Sequence, residues 1–464
     1  MNNDSSVASL ATRLRAEATG LRAGTRMPSS RTLTERYRVS PVTVSRALAL
    51  LVAEGVVVTR PGSGTFVAER RAAASGEADR SWQNTALGER RVDPEGVALG
   101  LIPVPDGIVP LVGGYLPEGL RPTRALAAAS ARAARRPQAW GAPPPEGLPE
   151  LRAWFAGLTG CTPEDVLVSG GGQSSLWLAL RAVVAPGGPV LVESPTYPGL
   201  IAAARAAGLT PVPVPVDGDG VRPDLLAEAF ARTGARAFVC QPTFHNPTGS
   251  VLPPDRRAGV LKAARQAGAF VIEDDFARHL SMGAAPAPLV AGDAAGTVVH
   301  IASLTKATAP SLRISGIVAR GPVAERIRAA QLVESFFPAR PLQETALEFV
   351  SSPSWPRHLR AVSAELRRRR DVLAAALAEH VPEIQLPSLP SGGLYLWGRL
   401  PEGLDDAALT ETARAHGVAI APGRPYFPAE PPAPYLRLSY SAAADTDALV
   451  EGVRRLSAAL RASR

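Results

Sequence analysis

Five short apolar runs recur along this chain, spaced so that a helix fits between them. They are Val166-Leu167-Val168, Val190-Leu191-Val192-Glu193, Ala237-Phe238-Val239-Cys240, Phe270-Val271-Ile272 and Val298-Val299-His300-Ile301. The helical pattern Leu148 to Leu158 precedes the first of them, and Leu176 to Val184 lies between the first and the second. Strands alternating with helices from about residue 96 onward predict an α/β body with a mostly parallel sheet. In open sheets of this kind ligands bind beyond the C-terminal ends of the strands. The turns that follow the runs are therefore where chemistry is to be sought.

Ser169-Gly170-Gly171-Gly172-Gln173-Ser174-Ser175 follows the first run and opens a helix. Free N–H groups at such a turn point at an anion, most often phosphate. Neither GK[ST] nor GxGxxG is present, so no P-loop or dinucleotide fingerprint is formed. Ser194-Pro195-Thr196-Tyr197-Pro198-Gly199 follows the second run and carries Tyr197 on a stiff loop. Val212-Pro213-Val214-Pro215-Val216 alternates valine with proline, which restricts it to an edge strand or an extended connection. Gln241-Pro242-Thr243-Phe244-His245-Asn246-Pro247-Thr248-Gly249 follows the third run, and Glu273-Asp274-Asp275-Phe276 the fourth. Three acids at a strand end suit a metal or a cationic ring nitrogen. No partner cluster of metal ligands is evident, and no metal is expected.

After the fifth run comes Ser303-Leu304-Thr305-Lys306-Ala307-Thr308-Ala309-Pro310-Ser311-Leu312-Arg313. The chain has only two lysines, Lys262 and Lys306, among 50 basic residues. Arginine serves everywhere else. A retained lysine asks what arginine cannot do: it cannot lose its proton in a protein or form a Schiff base with an aldehyde. Lys262 falls on the polar side of an amphipathic run and reads as a surface charge. Lys306 sits among small hydroxyl residues, seven positions before an arginine able to hold an anion.

A length of 464 residues exceeds one ordinary core and predicts two or three domains. No apolar run is long enough to span a membrane, and the first residues lack the features of a signal peptide. Cys161 and Cys240 stand far apart and read as small buried thiols in a reducing cytoplasm. Residues 1–70 hold +5 of the formal net charge of +8. A small basic segment on a near-neutral body predicts that the segment meets a polyanion.

That segment reads as helix, short helix, helix and hairpin. Val7 to about Leu21 has helical periodicity. Ser29 or Ser30 can cap a short helix through Leu33, Tyr37 and Val39. Ser40 reads as the cap of a third helix, Val42 to Glu54, with Pro41 at its first position. Val56 to Arg60 and Thr65 to Val67 read as strands joined by Pro61-Gly62-Ser63-Gly64. This is the order of a winged helix-turn-helix, whose third helix enters the major groove. The run Met27-Pro28-Ser29-Ser30-Arg31, with Val39-Ser40-Pro41-Val42-Thr43-Val44-Ser45-Arg46-Ala47-Leu48 and Gly62-Ser63-Gly64-Thr65-Phe66-Val67, resembles the GntR family of bacterial repressors. The resemblance implies DNA contacts from Arg31, Ser40, Thr43 and Arg46, with Gly62, Ser63, Gly64 and Thr65 as the wing. Many members carry Arg where this chain has Pro41, and often where it has Ser45. Residues 70–95, rich in Ala, Arg, Gly, Ser and Glu, read as a linker, with a short helix near Trp82.

From residue 96 to the end, the ordered series Gly171-Gly172-Gln173, Tyr197, Asn246-Pro247-Thr248-Gly249, Asp274, Lys306, Arg313 and Arg437 resembles fold-type I aminotransferases that use pyridoxal 5′-phosphate. That family implies a large domain over about 96–320 and a smaller C-terminal α+β subdomain over about 321–464. It implies that Lys306 holds the cofactor as a Schiff base, Asp274 pairs with its ring nitrogen and Tyr197 stacks on its face. Asn246 would donate to its phenolic oxygen, and Gly171, Gly172, Ser303 and Arg313 would hold its phosphate, beside Gln173. Arg437 would take a substrate carboxylate. Where members carry Tyr as a second donor, this chain has Phe276. The arginine run Arg367 to Arg370 reads as a solvated face. A GntR-like head on such a body resembles the MocR group of transcriptional regulators. The resemblance implies a cytoplasmic homodimer that binds double-stranded DNA at two half-sites. It would respond to an amino acid, an amine or the cofactor itself, with transamination weak or absent.

Overall fold

The computed structural model describes residues 3–69, 79–87, 94–98, 100–101 and 103–463. Two compact units divide the chain, Met1–Glu89 and Arg90–Arg464. Of the expected linker, 70–78 and 88–93 lie outside the described residues; Trp82–Leu87 is a short helix without buried residues.

The head begins with α1 (Asn3–Thr19), α2 (Ser30–Tyr37) and α3 (Pro41–Ala53). Its hairpin is β1 (Val57–Arg60) and β2 (Gly64–Val67), antiparallel with Val57 opposite Val67 and Arg60 opposite Gly64. Leu10, Leu14, Leu33, Val44, Ala47, Leu48 and Leu51 meet in one core, because their helical spacing puts each on the inner face of its helix. Ser29 caps α2 and Ser40 caps α3, each side chain accepting the backbone N–H three residues on. Arg38 takes a left-handed backbone (φ 52°), so α2 stops before Val39. The hairpin gains a third segment, since Met27 N–H donates to Thr65 O and Val67 N–H to Thr25 O.

The body opens with β3 (Val109–Pro110). Its main strands are β4 (Val166–Ser169), β5 (Pro189–Ser194), β6 (Thr210–Asp217), β7 (Gly220–Val221), β8 (Ala237–Cys240), β9 (Phe270–Asp275), β10 (Val298–Ser303) and β11 (Ser315–Val318). They form one sheet in the order β4-β11-β10-β9-β8-β5-β6-β7. β10, β9, β8, β5 and β6 run parallel, while β11 lies antiparallel to both β10 and β4. Ser169, Ser194, Cys240, Asp275 and Ser303 therefore end at one edge of the sheet. The Val/Pro run belongs to β6, which pairs with β5 on one side and has only the two-residue β7 on the other. Cys240 is buried, Cys161 half-buried, and both are free.

A smaller sheet follows: β12 (Tyr395–Arg399), then β13 (Val418–Ala419), β14 (Ala421–Pro422) and β15 (Tyr435–Ser439), with β12-β15-β14 hydrogen-bonded and β13 paired with β3. Two boundaries differ from expectation. Val109–Pro110 pairs with Val418–Ala419, and Ser439 N–H donates to Leu111 O, so the body's first segment serves the smaller part. The helices Pro322–Ser335 and Arg340–Val350 pack on Gly172–Val183 and Thr123–Ala134, so the larger part runs past 320. The long helix Ser354–His380 carries the arginine run, of which Arg367 and Arg368 are exposed as expected while Arg369 is buried and Arg370 half-buried. Arg369 is buried and donates to Glu365 and to the carbonyls of Ala443 and Ala444; Arg370 donates to Pro390 O and Arg367 to Met282 O.

Candidate cofactor site and nucleic-acid interface

The C-terminal ends of the body strands open onto a cavity of about 680 Å³. Gly171, Gly172 and Ser303 stand at its β4/β10 side. Gly171 N–H donates to Ser315 Oγ at 3.1 Å, and Ser315 in turn meets Ser175 Oγ at 2.8 Å. Arg313, itself in left-handed backbone (φ 47°), folds its guanidinium against Gly171. A Cβ at Gly171 would lie 2.8 Å from Arg313 Cζ, so only glycine admits that approach. No carboxylate among the described residues pairs with Arg313. A cation without a partner, above the N-terminus of the helix Gly172–Val183, is a seat for a phosphate.

Lys306 is half-buried on the cavity wall. Its Nζ donates to Gly114 O at 2.8 Å and lies 3.9 Å from the Tyr115 ring centroid. Loss of water, with Arg437 second, brings its pKa down to about 7, against the pull of Asp274. Burial pushes Asp274 up to about 6, although Gln241 Nε2 donates to its Oδ2 at 2.7 Å. Gln241 also accepts the backbone N–H of Asn246 at 3.0 Å, tying the two strand ends together. Arg437 donates from Nη1 to Asn246 Oδ1 at 3.3 Å and from Nη2 to Gly113 O at 3.0 Å. The first bond fixes the Asn246 amide so that its NH2 is the group left to donate elsewhere. Arg437 Nε has no partner, and the guanidinium lies 3.9 Å from the Tyr395 ring and 5.1 Å from Tyr426. Tyr197 lines the cavity with its hydroxyl pKa raised by burial and by Asp274. A Cβ at Gly199 would stand 2.3 Å from its ring, so the turn leaves the ring that space. Gln173 donates to Gly199 O at 2.9 Å, and Phe276 lines the cavity with a ring that offers no donor.

All ten body residues expected at the cofactor line this one cavity except Gly171, which abuts Arg313 from behind. The three acids do not act together. β9 continues through Asp275, so alternation sends Asp274 to the cavity and Glu273 and Asp275 to the opposite face. There they meet His300 of β10, whose Nδ1 lies 3.0 Å from Glu273 Oε2. Leu289 and Val290 N–H groups also bind Glu273, and Arg278 binds Asp275. Burial pushes both carboxyls upward; the imidazole nonetheless holds Glu273 below its ordinary range, while Asp275 stays above. Backbone, imidazole and guanidinium donors occupy both Glu273 oxygens and Asp275 Oδ2, while Asp275 Oδ1 and His300 Nε2 are buried without a hydrogen-bond partner among the described residues. The three side chains lie close enough to form a ligand cluster that the sequence did not reveal. Sequence reasoning missed Gly113, Gly114, Tyr115, Gln241, Tyr395 and Tyr426. It also missed His358, whose Nε2 lies 2.6 Å from the carbonyl of Ala307, beside Lys306.

In the head, Arg31 is 91% exposed on its side chain and bonds only its exposed neighbour Glu35. Arg46, Gly62 and Ser63 are exposed, Gly64 and Thr65 half-buried. Thr43 differs from expectation: it is buried, and its hydroxyl meets Ser40 Oγ at 2.9 Å, so it serves the cap rather than the surface. Val42 beside it is 59% exposed. Glu17, Glu35 and Glu54 are held by Arg36, Arg31 and Arg15. Arg26, Arg46 and Arg60 have no carboxylate partner among the described residues. Arg26 lies against wing residue Gly64, and Arg60 lies 5.0 Å from the Phe66 ring.

Residues 112–456 match the aminotransferase class I and II family, and residues 8–67 match the gntR family of bacterial regulatory proteins. The HTH-type transcriptional regulator TauR of Rhodobacter capsulatus is 31% identical over 460 residues, 95% of this chain and 93% of that protein. The probable rhizopine catabolism regulatory protein MocR of Rhizobium meliloti is 28% identical over 473 residues, 97% and 92% of the two chains. The crystal structure of LysN, an alpha-aminoadipate aminotransferase from Thermus thermophilus complexed with N-(5′-phosphopyridoxyl)-L-leucine, superposes with a TM-score of 0.74 at 31% identity. It covers 82% of this chain and 98% of its own. The unpaired Arg313 over its glycine turn, the near-neutral Lys306 and the buried Asp274 fit pyridoxal 5′-phosphate. The chain belongs to the aminotransferase class I and II family through its body and, with its GntR head, to the MocR-type regulators.

Proposed function

We propose that this chain is a transcriptional regulator that binds DNA through its head and pyridoxal 5′-phosphate through its body, and responds to an amino compound or to the cofactor itself. One observation carries this reading. The same chain has arginines without a carboxylate partner among the described residues on the third helix (Arg46) and at the wing (Arg60) of its head, and an enclosed set of Lys306, Asp274, Arg313 and Arg437 in its body.

In this reading Arg313, Ser303 and the Gly171-Gly172 turn hold the phosphate. Asp274, oriented by Gln241, holds a proton on the ring nitrogen, and Tyr197 lies against the ring. Asn246 donates to the phenolic oxygen, and Phe276 adds no second donor. Lys306 supplies an amine that is partly deprotonated near pH 7, as attack on an aldehyde requires. Arg437, preheld by Tyr395, offers its unpaired Nε edge to a carboxylate. When bound, the cofactor supplies an electron sink for the bonds of an attached amino group. Arg31, Ser40 and Arg46 with the wing would meet DNA, joined by Arg26 and Arg60. Leu332, Val333 and Phe336 stand exposed at one helix end, which supports a homodimer that reads two half-sites.

The test is a mobility-shift titration on DNA upstream of the chain's own gene, with and without pyridoxal phosphate and amino acids. A shift that the cofactor or an amino acid changes in affinity or footprint is the expected result. No shift on any fragment overturns the regulator reading. A second reading, a working aminotransferase with an accessory head, draws on the same Lys306 and Asp274. Sustained turnover with an amino donor and a keto acceptor, without effect on DNA, would favour it.

A further inference from the structure

Lys306 is held at both ends. Its Nζ donates to Gly114 O at 2.8 Å. Its backbone belongs to a loop with local fastenings: Leu304 N–H donates to Ile314 O at 3.1 Å, and Thr308 Oγ1 to Leu304 O at 2.7 Å. One further fastening comes from a distant element. His358, near the start of the long helix Ser354–His380, places Nε2 2.6 Å from the carbonyl of Ala307, the residue after Lys306. A carbonyl only accepts, so Nε2 carries the proton and donates it. Burial lowers the pKa of the ring, so the neutral Nε2–H form prevails near neutral pH.

The donor is firmly placed. The His358 ring lies 6.0 Å from the Phe349 ring and 6.2 Å from that of Trp355, both buried. Further along the same helix the buried Arg369 donates to the carbonyls of Ala443 and Ala444, which follow the strand that carries Arg437. One helix thus fastens the backbone beside Lys306 and the segment behind Arg437. Ala307 is itself buried, and a buried carbonyl that loses its donor turns to find another. Lys306 would shift with it. We propose that His358 is a positioning residue for Lys306: its hydrogen bond to Ala307 fixes the loop so that the amine meets the cofactor's aldehyde in line for attack. This rests on the cofactor reading of the site and adds to it a residue that acts through the backbone. The free amine adds to the aldehyde carbon, and the aldehyde oxygen leaves as water. A misplacement of about 1 Å can slow such a step about a hundredfold.

The experiment uses the full-length protein, freed of cofactor, as the native chain and as two variants. His358→Gln keeps an N–H donor but loses the ring; His358→Phe keeps a ring among Phe349 and Trp355 but loses the donor. Each is mixed with pyridoxal 5′-phosphate, and the rise of the visible band is timed. His358→Phe should capture the cofactor about tenfold more slowly than the native chain, and His358→Gln within about threefold of it. Melting temperatures of the cofactor-free proteins should follow the opposite order, with His358→Gln the lower, because the ring's packing serves the fold. A ring that serves packing alone would slow His358→Gln at least as much as His358→Phe, and that result overturns the proposal. So does a native rate in His358→Phe. Should His358→Phe fail to fold, the proton itself decides. Nitrogen NMR of the native chain, with the His358 signals identified by their loss in His358→Gln, should show Nε2 protonated and Nδ1 bare near neutral pH. The reverse tautomer overturns the proposal. A native chain that gains no visible band at all instead overturns the cofactor reading on which the proposal stands.

Discussion

The head and the body handle charge in opposite ways. In the head, arginines stand in water, and the acids that could neutralise them hold the fold together instead: Glu54 binds Arg15 across α1 and α3, and Glu17 binds Arg36. In the body, the functional charges are enclosed, and enclosure moves Lys306 to about 7 and Asp274 to about 6. Exposed charges act as a sum that any polyanion feels and any salt screens. Enclosed charges act one by one, and each depends on its neighbours and on pH. One chain therefore carries a part tuned by ionic strength and a part tuned by protonation.

The sharpest way to break this comparison is to remove the individual action of one enclosed group. Lys306→Arg keeps the positive charge but cannot form a Schiff base. The visible band of the cofactor-loaded protein should vanish, and borohydride should no longer fix the cofactor to the chain. A variant that keeps the band would mean that Lys306 is not the attachment point.

Next come opposed responses to salt and pH. With six or more phosphate contacts per operator, DNA affinity should fall about a thousandfold between 50 and 200 mM salt. Cofactor binding meets one phosphate and should change only a few-fold. Its rate should instead climb about tenfold from pH 6 to 8, because the Lys306 amine loses its proton through about pH 7 and only the free amine attacks. Equal salt slopes for DNA and cofactor, or a flat pH profile, would erase the distinction.

A third prediction concerns stability. The folded Asp274 keeps its proton up to about pH 6, whereas the unfolded chain releases it near 3.8. The folded state therefore binds more protons between those values, and stability falls as pH rises through them. Above about 6 the cost of holding a buried charge is complete. Asp274→Asn should raise the stability of the cofactor-free protein at pH 8 by ~1–3 kcal/mol, and by almost nothing at pH 4. It should weaken the cofactor's hold at the same time. A melting temperature that is unmoved at pH 8, or moved equally at both pH values, would show that Asp274 is not strained by burial.

How far these parts were legible in the sequence follows the same divide. The strands of the body could be read because apolar runs must be buried, and Lys306 because it is one of two lysines in an arginine-rich chain. Caps in the head were legible because a Ser before a helix has a local task. What escaped is contact between distant segments. Gly114 and Tyr115 lie some 190 positions before Lys306, and nothing in their wording marks them as its neighbours. Gln241 is an ordinary polar residue until its amide is placed on Asp274. Arg369 and Arg370 looked like solvated charge, as Arg367 and Arg368 are, because composition does not reveal the carbonyls of Ala443, Ala444 and Pro390 that receive them. Thr43 looked like a surface contact because the resemblance to the GntR family implied one, and a family pattern does not show which way one side chain of the first turn faces.

The smallest expected effect lies where the head departs from its own rule. Val42 is apolar, yet 59% exposed in the first turn of α3, where a recognition helix presents side chains to base edges. Packing does not explain the exposure, since Thr43 and Val44 next to it are the residues turned inward. The major groove has one apolar feature of its own, the 5-methyl group of thymine. If α3 enters the groove, Val42 would cover such a methyl, in the stretch where Pro41 and Ser45 supply no guanidinium. Val42→Ala should then lose about 1 kcal/mol, a few-fold in affinity, on sites with thymine at the facing position and nothing elsewhere. Its salt slope should match the native protein's, because no ion pair changes. Replacing that thymine by deoxyuridine should cost the native protein the same few-fold and the variant nothing. If the deoxyuridine penalty persists in Val42→Ala, or if the variant weakens on all DNA alike, Val42 does not face a base, and the head acts only through its charge.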